Sequence, residues 1–272
     1  MTQITPQQLA QFDTFGFLKF PGLLREEISW IIAEFEAVFT DRGIVHDGTL
    51  RSCIVPFADS REKLCGLLDH PSILAIANGL LGDDFNYIGS DGNYYTGDTS
   101  WHTDGWHEVG RFIKIAFYLD PVGRDTGALR VIPGSHRTQL RPHWNVYGAG
   151  QSERLWGLKQ SEVPSVALET QPGDVLVFNH NILHSAFGGT TRRRMFTLNL
   201  SAHAETSEER QELRGFINAG ARFWVEKPYS NIMMATATAQ RRIHLDQVLA
   251  HADELPALVA KAKLTMTEPS RG

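Results

Sequence analysis

The sequence predicts one β core, a sandwich, jelly roll or barrel, wrapped by helices at both ends. Three observations predict it. The N-terminal third carries apolar residues at three- and four-residue steps, the period of amphipathic helices. From Phe85 to Ser201 that period gives way to short segments rich in β-branched and aromatic residues, each bounded by Gly, Pro, Asp or Asn. After Ser207 helical spacing returns. At 272 residues the chain is expected to be a single domain, with a helical region 1–83, a β core 84–203 and C-terminal helices 204–272.

The elements follow in order. Thr5-Pro6-Gln7-Gln8 supplies an N-cap, a proline at the first helical position and a capping-box glutamine, and Gly16 ends that helix. Phe17–Phe20 reads as a short strand before the Pro21-Gly22 turn. Between Arg25 and Thr40, Ile28, Ile31, Ile32, Phe35, Val38 and Phe39 form one helical face, stopped by Gly43. Ser72–Leu81 is a further helix, entered through Pro71 and closed by Gly82. The predicted strands are Phe85–Tyr95, Arg111–Leu119, Ala128–Ile132, Ser165–Glu169, Val175–Phe178 and Arg193–Ser201. Pro142–Leu158, with Trp144, Tyr147 and Trp156 beside Gly148 and Gly150, reads as a long insert of the kind that closes over a site. Glu208–Asn218 and Ala239–Lys263 are the expected C-terminal helices.

Composition narrows the function. A formal charge of −5 lacks the basic footprint that nucleic acid requires. No run of about 20 apolar residues is present, so no membrane span is expected. Met1-Thr2-Gln3-Ile4 has neither a basic nor an apolar leader region, so no secretory signal is expected. Cys53 and Cys65 stand in no metal-ligand spacing, which leaves a reducing cytoplasm as the expected compartment.

Three segments carry chemistry. In Trp101-His102-Thr103-Asp104-Gly105-Trp106-His107, His102 and Asp104 are two apart, so an extended backbone sends both side chains to one face. An imidazole and a carboxylate together suit a divalent first-row metal, and the flanking tryptophans suggest a pocket. Trp106 and His107 are candidate substrate contacts, with simple packing as the plainer reading. The second segment, Pro172 to His184, reads as turn, buried strand, turn and strand, so only one of His180 and His184 need be a ligand. His180 is placed in the turn, hydrogen-bonded or solvated. The third is Arg192-Arg193-Arg194. On a strand, Arg194, Phe196, Leu198 and Leu200 share an apolar face that packs on helices. Arg193, Met195, Thr197 and Asn199 share the other, and Arg193 then points into the barrel, where a guanidinium needs an anion.

These pieces, in this order, resemble the phytanoyl-CoA dioxygenase-like family of iron(II)/2-oxoglutarate oxygenases. The resemblance covers most of the chain. It includes the Gly16-Phe17 segment, His70-Pro71 with Leu80-Leu81-Gly82, and Trp101-His102-Thr103-Asp104. It continues through Gly127–His136, the Pro172-Gly173-Asp174 strand with His184, and the arginine strand. It implies a double-stranded β-helix (a jelly roll of the cupin kind) holding iron by His102, Asp104 and His184. It implies that 2-oxoglutarate chelates that iron through its C1 carboxylate and C2 keto oxygen, that its C5 carboxylate pairs with Arg193, and that O2 is the other cosubstrate. One departure is visible. The His184–Arg193 loop looks about two residues shorter than in such relatives, and Ala186 stands where a small polar residue often binds the cosubstrate. Ser185 or Thr191 is the expected compensation. Tyr87, Asn93 and Tyr95 are read as sharing a face of the first core strand, with Asn93 taken as a further cosubstrate contact. Trp144 joins Trp106 and His107 as an expected substrate contact, and His136 is read as structural.

The implied activity is oxidation of a small organic molecule, most simply hydroxylation with release of succinate and CO2. Desaturation, epoxidation and cyclisation use the same oxidant. Halogenation is not expected, because Asp104 fills the position a halide needs. A zinc-type hydrolase would need a general base that no His-Glu-x-x-His supplies. A non-catalytic cupin-like binding module has no use for an open metal triad.

Overall fold

The computed structural model describes residues 3–137, 139 and 151–271. Ten strands form two antiparallel sheets among the described residues. They are β1 (Phe17–Phe20), β2 (Ser52–Ile54), β3 (Asn86–Tyr95), β4 (Thr99–His102), β5 (Phe112–Tyr118), β6 (Leu129–Val131), β7 (Val166–Leu168), β8 (Val175–Asn179), β9 (His184–Ala186) and β10 (Arg193–Ser201). The larger sheet has the order β1-β8-β5-β10-β3-β2, the smaller β4-β9-β6-β7. This is the double-stranded β-helix.

Alternation in β5, β8 and β10 decides which side of the large sheet meets what. Ile113, Ile115, Phe117, Val175, Val177, Phe196, Leu198 and Leu200 face outward into one core with the helices. That core takes Ile31, Phe35, Val38 and Phe39 from the helix Ile28–Asp41, on the periodic face read from the sequence. The inward residues Ala116, Tyr118, Leu176, Phe178 and Met195 meet Leu129, Val131 and Leu168 of the small sheet. A buried side chain of this size contributes roughly 1.5–3 kcal/mol, so both faces favour this one register.

The N-terminal signals act as read. Thr5 and Gln8 close a capping box, and Gly16 ends the helix at φ 85°. His136 packs against Gly16, where a Cβ would come within 2.5 Å of its ring, and its Nε2 lies 3.3 Å from the Asp13 carbonyl. It ties a turn to the first helix, a structural place.

Two expectations about elements are corrected. The helix expected over Ala239–Lys263 is two, Ala239–Ala250 and Leu255–Thr265. Pro256 lacks the N–H to continue the first helix, yet suits the first turn of a new one. Tyr87 does not share a face with Asn93 and Tyr95. In the β3–β10 ladder Asn199 pairs with Gly89 but Leu200 pairs with Tyr87, so β3 carries one extra residue there. The bulge turns Tyr87 outward, where its hydroxyl donates to Asp59 at 2.5 Å. The short strand Ser52–Ile54 and the helix Asn231–Thr236 were not foreseen, being too brief to show a period. Residues 142–150 of the expected insert, with Trp144, Tyr147, Gly148 and Gly150, lie outside the described residues. Its described end is a short helix, Ser152–Trp156.

Candidate metal centre

The small sheet brings the two histidines together. His102 ends β4 and pairs directly with His184 at the start of β9. Their rings lie 4.2 Å apart. The Nδ1 of His102 is 2.8 Å from the Ser100 carbonyl, and that of His184 is 3.0 Å from the Ile182 carbonyl. A carbonyl only accepts, so each Nδ1 carries the proton and each Nε2 keeps its lone pair for a metal.

Asp104 arrives differently from the expectation of one extended strand. β4 stops at His102, and a bend follows, held by the Asp104 N–H donating to the His180 carbonyl at 3.0 Å. The bend still aims the carboxylate at the histidines. Ligand atoms of His102, Asp104 and His184 all lie within 4.8 Å of one another. Asp104 Oδ1 accepts from Lys114 Nζ at 2.8 Å. Oδ2 is buried without a hydrogen-bond partner, 3.8 Å from His184 Nε2.

The charges fit a cation here. Burial alone would raise the Asp104 pKa, but Lys114 and three imidazoles outweigh it, so the carboxylate stays ionised well below its usual range. Burial, with His102 adding to it, pushes the His184 pKa down to about 3, so the ring is neutral. Two bare imidazole nitrogens, one free carboxylate oxygen and no competing cysteine make a donor set for a divalent first-row metal.

Behind these residues a recess of about 50 Å³ runs between the sheets. Arg193 closes it. The side chain is 3% exposed and faces inward with Met195 and Thr197, as strand parity predicts. Nε and Nη1 are buried without partners, and among the described residues no carboxylate pairs with the group. Its guanidinium lies 5.0 Å from the Tyr95 ring centre. Gly127, at φ +93°, makes room for it: a Cβ there would sit 1.9 Å from Nη1. An unpaired buried guanidinium at the end of a recess is an anion site.

A second cavity of about 390 Å³ opens from the same His102, Asp104 and Lys114. Arg51, Asp91, Tyr95 and His180 form its polar end. Phe216, Ile217, Phe223, Val225, Val248 and Leu255, from the C-terminal helices and the chain between them, form its apolar end.

Several expected contacts lie elsewhere. Asn93 faces inward, but its amide donates to Asp91 at 2.6 Å and its carbonyl accepts from Arg51 at 2.9 Å, so it braces neighbours and lines neither cavity. Thr191 is exposed on the connecting loop, its carbonyl 2.6 Å from His46 Nε2. Ala186 does share the inner side with His184, and the Ser185 hydroxyl is buried without a partner. His107 is buried and stacked on Phe112 with ring centres 3.7 Å apart, outside the cavity lining; Trp106 is half-buried and also outside it. His180 sits in the expected turn, fully buried and hydrogen-bonded rather than solvated. Lys114 and Tyr118 were missed. Parity on β5 would have found both, since Ile113, Ile115 and Phe117 claim the outer face and leave Lys114, Ala116 and Tyr118 inside.

Comparison with known proteins gives the family and the same fold. The family model described as phytanoyl-CoA dioxygenase (PhyH) matches residues 12–196. Ectoine dioxygenase of Nocardia farcinica is 24% identical over 222 residues, covering 70% of this chain and 74% of that protein. HygX from Streptomyces hygroscopicus, solved with nickel and 2-oxoglutarate bound, superposes with a TM-score of 0.60 at 19% identity, over 75% of this chain and 89% of that one. The non-haem α-ketoglutarate-dependent carbocyclase SnoK from nogalamycin biosynthesis gives 0.57 at 19% identity, over 73% and 84%. With the fold, the donor set and the family match in agreement, the chain belongs to the phytanoyl-CoA dioxygenase (PhyH) family of iron(II)/2-oxoglutarate-dependent oxygenases.

Proposed function

We propose that the protein is a hydroxylase of a small organic molecule, with His102, Asp104 and His184 holding iron(II) and Arg193 pairing with the distal carboxylate of 2-oxoglutarate. The observation that carries this reading is the orphaned Asp104 Oδ2 beside two histidines whose Nε2 lone pairs are free. A buried acceptor left unpaired costs about 1–3 kcal/mol, and a metal removes that cost. Iron(II) with 2-oxoglutarate supplies the oxidation, in which O2 is consumed and succinate and CO2 are released.

The chain's own residues do the rest. Lys114 holds Oδ1, so Asp104 offers one oxygen only. Ser100 and Ile182 fix the two rings in the tautomer that leaves Nε2 bare. Arg193 fixes the far end of the cosubstrate, with the Tyr95 ring under its guanidinium. Phe216, Ile217 and Phe223 wall the substrate cavity with apolar surface and keep water from the oxidant. Because these residues come from the C-terminal segment, we propose that residues 1–272 work as one oxygenase domain. Asp104 fills the position a halide would need, which favours hydroxylation over halogenation.

A succinate-release screen over a metabolite library, with iron(II), ascorbate and 2-oxoglutarate, tests the activity. His102→Ala should lower manganese(II) affinity by about a hundredfold or more and abolish succinate release, with the circular dichroism spectrum unchanged. Undiminished metal binding in that variant would overturn the ligand assignment.

A further inference from the structure

A series of polar side chains that the oxidation leaves unused runs from the surface to the cavity wall. Glu212 lies on the helix Ser207–Ala219 and is partly exposed. Its carboxylate is 2.8 Å from His107 Nδ1. His107 Nε2 is 3.4 Å from His180 Nδ1. His180 lines the larger cavity beside His102 and Asp104, and its Nε2 is buried with no partner.

The series is held in place on every side. The side-chain amide of Asn181 donates to the His107 carbonyl at 2.9 Å and accepts from the His107 N–H at 2.8 Å. Phe112 stacks on the His107 ring, and the His180 N–H donates to the Phe112 carbonyl at 3.0 Å. Gly105 leaves space for the ring, since a Cβ there would lie 2.5 Å from His107 Nε2.

Proton placement then follows from the surface inward. A carboxylate only accepts, so His107 carries its proton on Nδ1. The ring is neutral, because burial outweighs Glu212 and holds its pKa below the usual value. Its Nε2 is therefore an acceptor, and His180 must donate to it from Nδ1. His180 is fully buried in the turn before β9, and its Nδ1 is taken up by this bond. Its Nε2 is left as a bare lone pair at the metal end of the cavity.

We propose, resting on the hydroxylase reading above, that His180 Nε2 accepts a hydrogen bond from the substrate. The substrate class is thereby narrowed to molecules that present a hydroxyl or an N–H at the metal end of the cavity. His107 and Glu212 are positioning residues that fix the tautomer of His180. A site built to accept such a bond rejects an analogue that lacks the donor, because the buried acceptor is left unpaired. Methyl ethers and quaternary ammonium compounds of the same shape are therefore excluded.

Two measurements test this. Protein with ¹⁵N-labelled histidine, loaded with zinc(II) and 2-oxoglutarate, reports each tautomer by nuclear magnetic resonance. His180 should carry its proton on Nδ1 alone, and Glu212→Leu should give a mixture of tautomers. A proton on Nε2 of His180 in the unmodified protein overturns the proposal. The second measurement follows succinate release with a panel of amino alcohols, diols, hydroxy acids and amino acids, each beside its fully O- or N-methylated counterpart. Donor-bearing members should exceed their counterparts by about tenfold or more, and His180→Leu should bring that ratio near one. Equal stimulation by the methylated members, or none by any donor-bearing member, overturns it. Failure of the unmodified protein to bind zinc(II) and 2-oxoglutarate, titrated before any panel compound is added, would instead sink the metal-site reading and this proposal with it.

Discussion

Arg193 and Arg194 lie side by side on β10 and face opposite sides of the sheet. Arg194 turns outward, where Asp120 meets it at 2.6 Å and Glu36 at 2.7 Å. Arg193 turns inward and meets no carboxylate among the described residues. The same side chain thus has two different uses one residue apart. In the reading proposed here, Arg193→Leu removes the partner of a buried carboxylate, a loss of roughly 2–5 kcal/mol. The 2-oxoglutarate dissociation constant, measured by calorimetry on the zinc(II)-loaded protein, should rise by well over tenfold. Arg194→Leu should leave that constant where it is and cost about 1 kcal/mol of stability, since its partners are partly solvated. An equal loss of 2-oxoglutarate affinity in both variants would contradict the assignment. Strand parity was enough to separate these two arginines in the sequence, because Phe196, Leu198 and Leu200 fix which side is apolar. The same rule failed for Tyr87, because an inserted residue in β3 reverses parity and leaves no mark in composition. It went unused on β5, where Lys114 interrupts the run Phe112-Ile113-Lys114-Ile115 and a buried lysine is uncommon enough to have been a signal.

The loop that enters β6 shows how an element positions a residue it does not contain. Gly127 has φ +93°, a conformation that L residues rarely adopt, and it stands against the Arg193 guanidinium. Its N–H donates to the Phe187 carbonyl at 2.9 Å, which ties this loop to the segment after β9. A methyl group here would meet both problems at once, the backbone strain and the 1.9 Å approach to Nη1. Gly127→Ala should therefore act on the cosubstrate before it acts on the fold. The expected result is a 2-oxoglutarate KM raised by about tenfold with manganese(II) affinity unchanged. A variant with normal KM and a lowered melting temperature would show that the glycine serves the turn alone. The Gly-Ala-Leu-Arg run was legible as part of a family pattern, but its reason was not. The need for glycine lies in a contact with a residue 66 positions away, which no local spacing reports.

At the scale of the whole molecule, the site is costly to keep because it holds two buried neutral histidines, His180 and His184. Burial, aided by nearby positive groups, pushes His180 and His184 each down to about 3, against roughly 6.5 in an unfolded chain. His107, His136 and His244 are shifted the same way by burial. Between those two values the unfolded chain binds more protons than the folded one, so stability rises with pH across that window. The contribution is fully present above the unfolded value and is lost as pH falls below about 6.5. Each such histidine costs at most about 1.4 kcal/mol per pH unit. Asp104 adds a similar loss only below about pH 4, where an unfolded aspartate would take up a proton. The metal-free protein should therefore melt progressively earlier from pH 7 to pH 5, by about 2–4 °C for each kcal/mol lost. A divalent metal competes with the proton for the same Nε2 atoms and binds only the folded chain. Zinc(II) should raise the melting temperature at pH 7 and raise it less at pH 5, where protons compete. Melting curves with and without zinc(II), taken at half-unit steps, separate the two effects. A melting temperature flat from pH 7 to pH 5 without metal would mean that the histidines are reached by solvent, and the dry cavity proposed for the oxidation would go with it.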